Sequence, residues 1–287
     1  MRSGQPNVLE INDWISRNFS KGQVIGFDPF LLSAGQAKAL KKLLAANDII
    51  VATNITNPID VVWNAIGNRP PFPANPLRII DIRSAGVSHL DKIRAVQRFV
   101  VEKNAEGILV SMLDEIAWLF NVRGSDISFN PVTIAYAVIT RDQAILFIDS
   151  VKITPEISAH LGAEVIIRPY EDIVNFVKQV VSVGPLLMDP SRVNWGVYLA
   201  AEEGDGSSSG SGVKVIDGVS PIALNKSRKN EAELAGIRAC HIRDGVALTA
   251  FLHWLEVTVK NSQQQVPSNT RDLETHLLIP FLVVIGD

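Results

Sequence analysis

Residues 121–126 gather an amide, a guanidinium, a hydroxyl and a carboxylate: Asn121, Arg123, Ser125 and Asp126, set around Gly124. Apolar segments that must be buried frame them, and a loop so polar on a scaffold so apolar is where binding groups tend to sit. Asn121, Arg123 and Asp126 are therefore the candidates for a substrate-facing loop. An equally weighted reading is a self-contained turn running from Arg123 to Asp126 and held by Gly124. Asp114-Glu115 pairs two carboxylates, but Asp114 suits the N-cap of a helix over 115–120. Asp272, Glu274 and His276 alternate, so in a strand they would share one face. Oxygen plus imidazole suits manganese or zinc. Yet three ligands on one strand rarely enclose a metal alone, and chance spacing in a polar tail is the better reading. Asp287 is the one other ligand-type residue after Lys260.

Further pairings carry less chemistry. Cys240 and His241 adjoin, but neighbours on a helix point about 100° apart. His241 and His253 read as packing or surface histidines, and Trp118 and Phe120 as core. The Gly-x-Ser-x-Gly match at 206–210 lies in a low-complexity Gly/Ser run and not at a strand-to-helix elbow. The sequence thus assigns no catalytic residue and no metal ligand.

The elements that must position the loop alternate in type. Val24–Phe27 reads as a short buried strand and Ile49–Val51 as another strand, with Ser33 capping a helix through Leu40 and Leu44. Residues 68–76 hold four prolines, an extended, stiff connector. Beyond it, Ser88 precedes a helix carrying Leu90, Ile93, Val96 and Val100. Ile108–Val110 is a strand. Ile134–Ile139 and Ala144–Ile148 form a hairpin through 140–143. Val165–Ile167 is a strand and Ile173–Val181 a helix. Strands alternating with helices, plus one hairpin, predict an α/β fold with a mixed sheet and flanking helices. Residues 204–212 are a low-complexity Gly/Ser surface insertion without the lysine or placement of a P-loop. Asn230 caps a long apolar-faced helix to Val259 that Gly245 can divide in two.

Composition limits the function classes. The 287 residues carry 47% apolar and 20% charged side chains, enough for full cores. The net charge of −3 brings no basic footprint for nucleic acid. Cys240 is the sole cysteine, which rules out an internal disulfide and fits a reducing cytosol. The longest apolar run, Leu277–Ile285, is far short of a membrane span of about 20 residues.

Several runs, in order, resemble aminopeptidase P, the Xaa-Pro aminopeptidases. These are Gly26-Phe27-Asp28-Pro29, Asn68-Arg69-Pro70, Leu113–Asp126 with Asn130-Pro131-Val132, Leu224-Asn225-Lys226, Ile237–Gly245 and Trp254-Leu255-Glu256. The resemblance covers roughly residues 1–259. It implies creatinase-type N-terminal domains: the last part of a first domain over 1–76, a second over 77–219, and over 220–287 the opening helices of an incomplete pita-bread catalytic domain. It also implies a metallopeptidase that releases an N-terminal residue preceding proline, acts on peptides with proline second, uses two divalent metals (usually manganese) and works in the cytoplasm. In that family the 121–126 loop faces the catalytic domain.

Residues 260–287 depart from the family pattern, and the chain reads as cut at both ends. The expectations for this chain follow. It is inactive and holds no cofactor of its own. Alternatively it is a non-catalytic binding or dimerisation module pairing with itself or with full-length members. It forms a homo-oligomer or aggregate through 230–287, with no nucleic-acid or membrane partner.

Overall fold

In the computed structural model, residues 8–52, 56–204 and 213–261 are described. They divide into two compact units, one within Met1–Ile80 and Val87–Ser227, the other within Asp81–Gly86 and Arg228–Asp287. The chain order is α1 (Ile11–Asn18), β1 (Val24–Gly26), α2 (Ala34–Ala46), β2 (Ile50–Ala52), α3 (Pro58–Ile66), β3 (Arg78–Ile79), α4 (Ile82–Ala85) and α5 (His89–Glu102). Then come β4 (Gly107–Val110), α6 (Leu113–Leu119), β5 (Val122–Arg123), β6 (Tyr136–Thr140), β7 (Ala144–Phe147), α7 (Pro155–Leu161), β8 (Val165–Arg168) and α8 (Ile173–Val183). Last are β9 (Leu186–Met188), α9 (Trp195–Glu203), β10 (Val215–Asp217), α10 (Pro221–Ser227) and α11 (Glu231–Asn261).

The larger unit is built on a six-stranded mixed sheet ordered β10-β9-β4-β6-β7-β8. Every neighbouring pair is parallel except those made by β6, which runs antiparallel to both β4 and β7. β4, β6, β7 and β9 are buried along their whole length. That is why they read as continuous apolar runs and not as alternations. Alternate residues still serve opposite faces. Ile108, Val110, Ala137, Ile139 and Leu146 join a core with Ile93, Val96, Ile116 and Ile157 of α5, α6 and α7. Leu109, Val138, Ile145 and Phe147 join a second core with Phe176, Val177 and Val197 of α8 and α9. The mixed α/β sheet with flanking helices agrees with the sequence expectation. The 140–143 hairpin does too: the Thr140 hydroxyl donates to Asp142 at 2.9 Å and accepts from the Gln143 N–H at 3.0 Å.

Residues 24–52 add a smaller parallel pair, β1-β2, over a core of Ile15, Leu40, Leu44 and Ile49. Ser33 caps α2 with a full capping box to Gln36. The start of α2 is tied to the 190–196 loop by Gly35 N–H to Pro190 O (2.7 Å) and Trp195 N–H to Leu32 O (2.8 Å). Gly196 allows this approach, since a Cβ there would meet the Phe30 ring at 2.9 Å.

Two local expectations change. Asp114 is not a cap. α6 starts two residues earlier at Leu113, Met112 takes the N-cap position, and Asp114 lies in the first turn. α11 is continuous through Gly245. One glycine costs a helix only about 1 kcal/mol, and the capping box between Asn230 and Glu233 fixes the start. In the smaller unit, the Asn230 side-chain amide also donates to Ala85 O at 2.8 Å. Among the described residues, no helix is long and apolar enough to cross a membrane. Residues 205–212 of the Gly/Ser stretch, Leu277–Ile285, Asp272, Glu274, His276 and Asp287 lie outside the described residues.

A Cβ at Gly245 would meet nothing within 4 Å. Gly245→Ala should therefore raise helix content by circular dichroism and stabilise the smaller unit by roughly 0.5–1 kcal/mol. A loss of helicity in the alanine variant would show that α11 needs a break there.

Candidate functional site

The polar loop opens at Asn121, which takes a left-handed backbone with φ of 52°, a conformation asparagine tolerates better than most residues. Its amide is buried. Lys92 Nζ donates to Asn121 Oδ1 at 2.7 Å, and Asn121 Nδ2 donates to Val87 O at 2.9 Å. Lys92 also donates to Trp118 O at 2.9 Å and sits 4.0 Å from the Trp118 ring centroid. Its charge thus leaves water only against oxygen and a π face. Arg123 is half-buried, and its Nη1 donates to the carbonyls of Ala117 (3.0 Å) and Val122 (2.9 Å).

Asp126 makes the most demanding contact in the loop. Its Oδ2 accepts from Lys152 Nζ at 2.5 Å, Thr133 Oγ1 at 2.9 Å and Ile134 N–H at 2.7 Å. Both charged side chains are 0% exposed. Asp126 Oδ1 is buried with no hydrogen-bond partner among the described residues. Residues 130–132 close over the loop, with Asp126 N–H to Val132 O at 3.2 Å. Glycine is required at 124, because a Cβ there would lie 2.6 Å from Val132 O. The three sequence candidates therefore share one loop, with Asn121 and the Asp126 carboxylate turned inward and Arg123 partly at the surface.

Sequence reasoning missed the groups these residues meet. Lys92 and Lys152 lie 29 and 26 residues from their partners, so no local spacing reveals them. His89 and His160 also escaped notice. Their rings pack with centroids 4.5 Å apart, and their Nε2 atoms meet Leu161 O at 3.4 Å and Phe120 O at 3.0 Å. A carbonyl only accepts, so each Nε2 carries the proton. Burial first, and then His160, push the His89 imidazole below its usual range.

On the same helix-to-sheet layer, Glu115 accepts from the Ser220 hydroxyl at 2.6 Å, and Asp114 is paired with Lys226. Burial raises Glu115, with Asp114 adding to it and Ser220 opposing. Burial works the same way on Asp114, but the Lys226 ammonium holds that carboxyl below the usual range.

The two metals implied by the family resemblance do not fit these donors. Among the described residues, no three His, Cys, Asp or Glu side chains converge on a common point. The buried carboxylate of Asp126 and the partly exposed one of Asp114 are committed to ammonium groups, and the paired imidazoles to carbonyls.

Two expected outcomes follow from this geometry. Removing one partner of a buried ion pair strands the other charge and costs about 3–5 kcal/mol. Lys152→Met should lose that much stability in urea melts, and adding Asp126→Asn should recover most of it. Equal losses in the single and double variants would show that the pair does not hold the loop. For His89 the sign is set by its lowered folded pKa. Below pH 6.5 the unfolded chain takes up the proton before the folded one does, so stability present above pH 6.5 falls as pH drops through the folded value. Urea midpoints of the native chain should decline over that window, and those of His89→Gln should decline less. Parallel profiles would remove His89 from the cause.

Residues 68–233 match the creatinase/prolidase N-terminal domain family. A protein of Neosartorya fischeri named a probable Xaa-Pro aminopeptidase P is 38% identical over 271 residues, covering 92% of this chain and 40% of that one. A protein of the same name from Aspergillus clavatus is 38% identical over 277 residues, covering 93% of this chain and 41% of its own. The crystal structure of an X-prolyl aminopeptidase from Caenorhabditis elegans, described as a cytosolic enzyme with a di-nuclear active site, superposes with a TM-score of 0.80 at 26% identity. It is covered over 91% of this chain and 42% of that one. The chain thus spans about 40% of the length of these relatives. With the matched residues making up more than half of its length, the chain belongs to the creatinase/prolidase N-terminal domain family.

Proposed function

We propose that this chain serves an Xaa-Pro aminopeptidase as its non-catalytic N-terminal portion. The reaction served is metal-dependent release of an N-terminal residue that precedes proline, on peptides in the cytoplasm. The observation that carries this is the 38% identity spread over 92% of the chain but only 40% of the relative. The donor chemistry supports it, since the buried Asp126 carboxylate is bound to the Lys152 ammonium and organises backbone. In this reading the residues divide into a first domain to 76, a second over 77–219 and the opening helices of a catalytic domain from 220. Arg123 is the loop residue that reaches toward substrate. Asn121 and Asp126 position it.

A binding or dimerisation role is the second reading, with a further copy or a longer family member as partner. It is favoured by one observation: Ile242, Val246, Leu248 and Leu252 of α11 are all exposed, and apolar surface of that kind drives association.

The purified 287-residue chain, supplied with manganese, should release no residue from an Xaa-Pro-Xaa peptide. Manganese-dependent release that survives repurification would overturn the non-catalytic assignment. Sedimentation separates the two readings, because the dimerisation role requires a concentration-dependent dimer and a monomer at all concentrations would exclude it.

A further inference from the structure

The sheet has a switch point away from the loop. β4 and β9 are parallel neighbours, paired Gly107 to Leu186 and Ile108 to Leu187. The chain leaves β4 into α6, whose Ile116 and Leu119 pack in the first core. It leaves β9 into α9, whose Val197 and Ala201 pack in the core on the opposite face. Two adjacent parallel strands whose exits part to opposite faces leave a crevice beyond their carboxyl ends, where open α/β sheets place their ligands.

A cavity of about 340 Å³ opens there, within the size range of small-molecule sites. Ser111 lines it directly after β4, Arg192 and Asn194 after β9, and Tyr136 at the start of β6, with Tyr170 and Phe30 completing the wall.

Its polar groups are predominantly donors. Asn194 Oδ1 accepts from Val197 N–H at 2.9 Å as the cap of α9, so its Nδ2 is the atom 2.6 Å from the Tyr136 hydroxyl. Tyr136 must therefore accept there. Tyr136 and Tyr170 stack with ring centroids 5.1 Å apart. Because Tyr136 accepts from Asn194, its own phenolic proton is left to donate, and Tyr170 brings a second hydroxyl to the same wall. The exposed Arg192 guanidinium has a thioether for its hydrogen-bond partner, Met112 Sδ at 3.8 Å, and thioether sulfur is a weak acceptor. No acidic side chain is among the described residues lining the cavity. A cation and a spare hydroxyl donor beside aromatic walls call for a ligand with a carboxylate at one end and an apolar body.

We infer that the crevice at the β4–β9 switch point is a binding site for a small monocarboxylate with an aromatic or aliphatic body, Arg192 taking the carboxylate and the Tyr136–Tyr170 pair and Phe30 the body. The site is separate from peptide hydrolysis and stands whether or not the peptidase reading holds.

The test titrates the full chain with 3-phenylpropionate and, in parallel, with its neutral analogue 3-phenylpropanamide, by calorimetry or ligand-observed NMR. A charge-assisted contact to a guanidinium should make the acid bind at least about tenfold more tightly than the amide. In Arg192→Gln, a surface change that leaves both cores intact, the preference should fall to within about twofold. Ser111→Phe, which fills the cavity, should remove binding of both, and Tyr170→Phe should weaken the acid while keeping the stacking wall. Absence of saturable binding of the acid, equal binding of acid and amide, or a preference that persists in Arg192→Gln would each overturn the inference.

Discussion

The larger unit turns on one buried ion pair. Taking a carboxylate and an ammonium out of water costs several kcal/mol for each ion, which is recovered only with close geometry and further hydrogen bonds. Asp126 and Lys152 meet that condition at 2.5 Å, with Thr133 and Ile134 as extra donors. The pair joins stretches far apart in sequence. Lys152 sits in a one-turn helix after β7 that Asp149 caps, and its own carbonyl accepts Leu77 N–H at 3.1 Å. The segment entering the unit, the long connection from β5 to β6 and the turn after β7 are all anchored around the two charges.

That constraint explains why a loop rich in binding-type residues is largely occupied with itself. Asn121, Arg123 and Asp126 spend their hydrogen bonds on Lys92, on the carbonyls of residues 117 and 122, and on Lys152. A twelve-residue connection between β5 and β6 leaves many backbone groups to satisfy, and side chains of this kind satisfy them. Local composition signals polarity correctly. Whether that polarity faces a ligand or the protein's own backbone depends on cations that arrive from other elements.

The sequence was legible where the determinants are local. Continuous apolar runs announced β4, β6 and β7, and the Ser33, Ser88 and Asn230 caps announced α2, α5 and α11. It was illegible where the determinant is a distant partner. Asp114 has the side chain of a cap, but Lys226, 112 residues on, takes it, and α6 begins at an apolar residue instead. Gly245 has the signature of a break, yet local propensity amounts to about 1 kcal/mol and the helix carries it. The crevice residues Ser111, Tyr136, Tyr170 and Arg192 have no shared motif, because only the crossing of chain exits at the β4–β9 boundary brings them together.

The ion pair and the crevice are mechanically connected. Ile134 N–H donates to Asp126, so the charge pair fixes where the chain enters β6. Ile134, Ala135 and Tyr136 follow at once and form one wall of the crevice. β6 is the strand that runs against the rest of the sheet, and its first residue therefore lies at the end where β4 delivers Ser111. If β6 ran parallel, Tyr136 would stand at the opposite edge and Asn194 would have no phenol to bind. The reversed strand, held at its entry by Asp126, is what turns a switch point into a walled site with a donor chain across it.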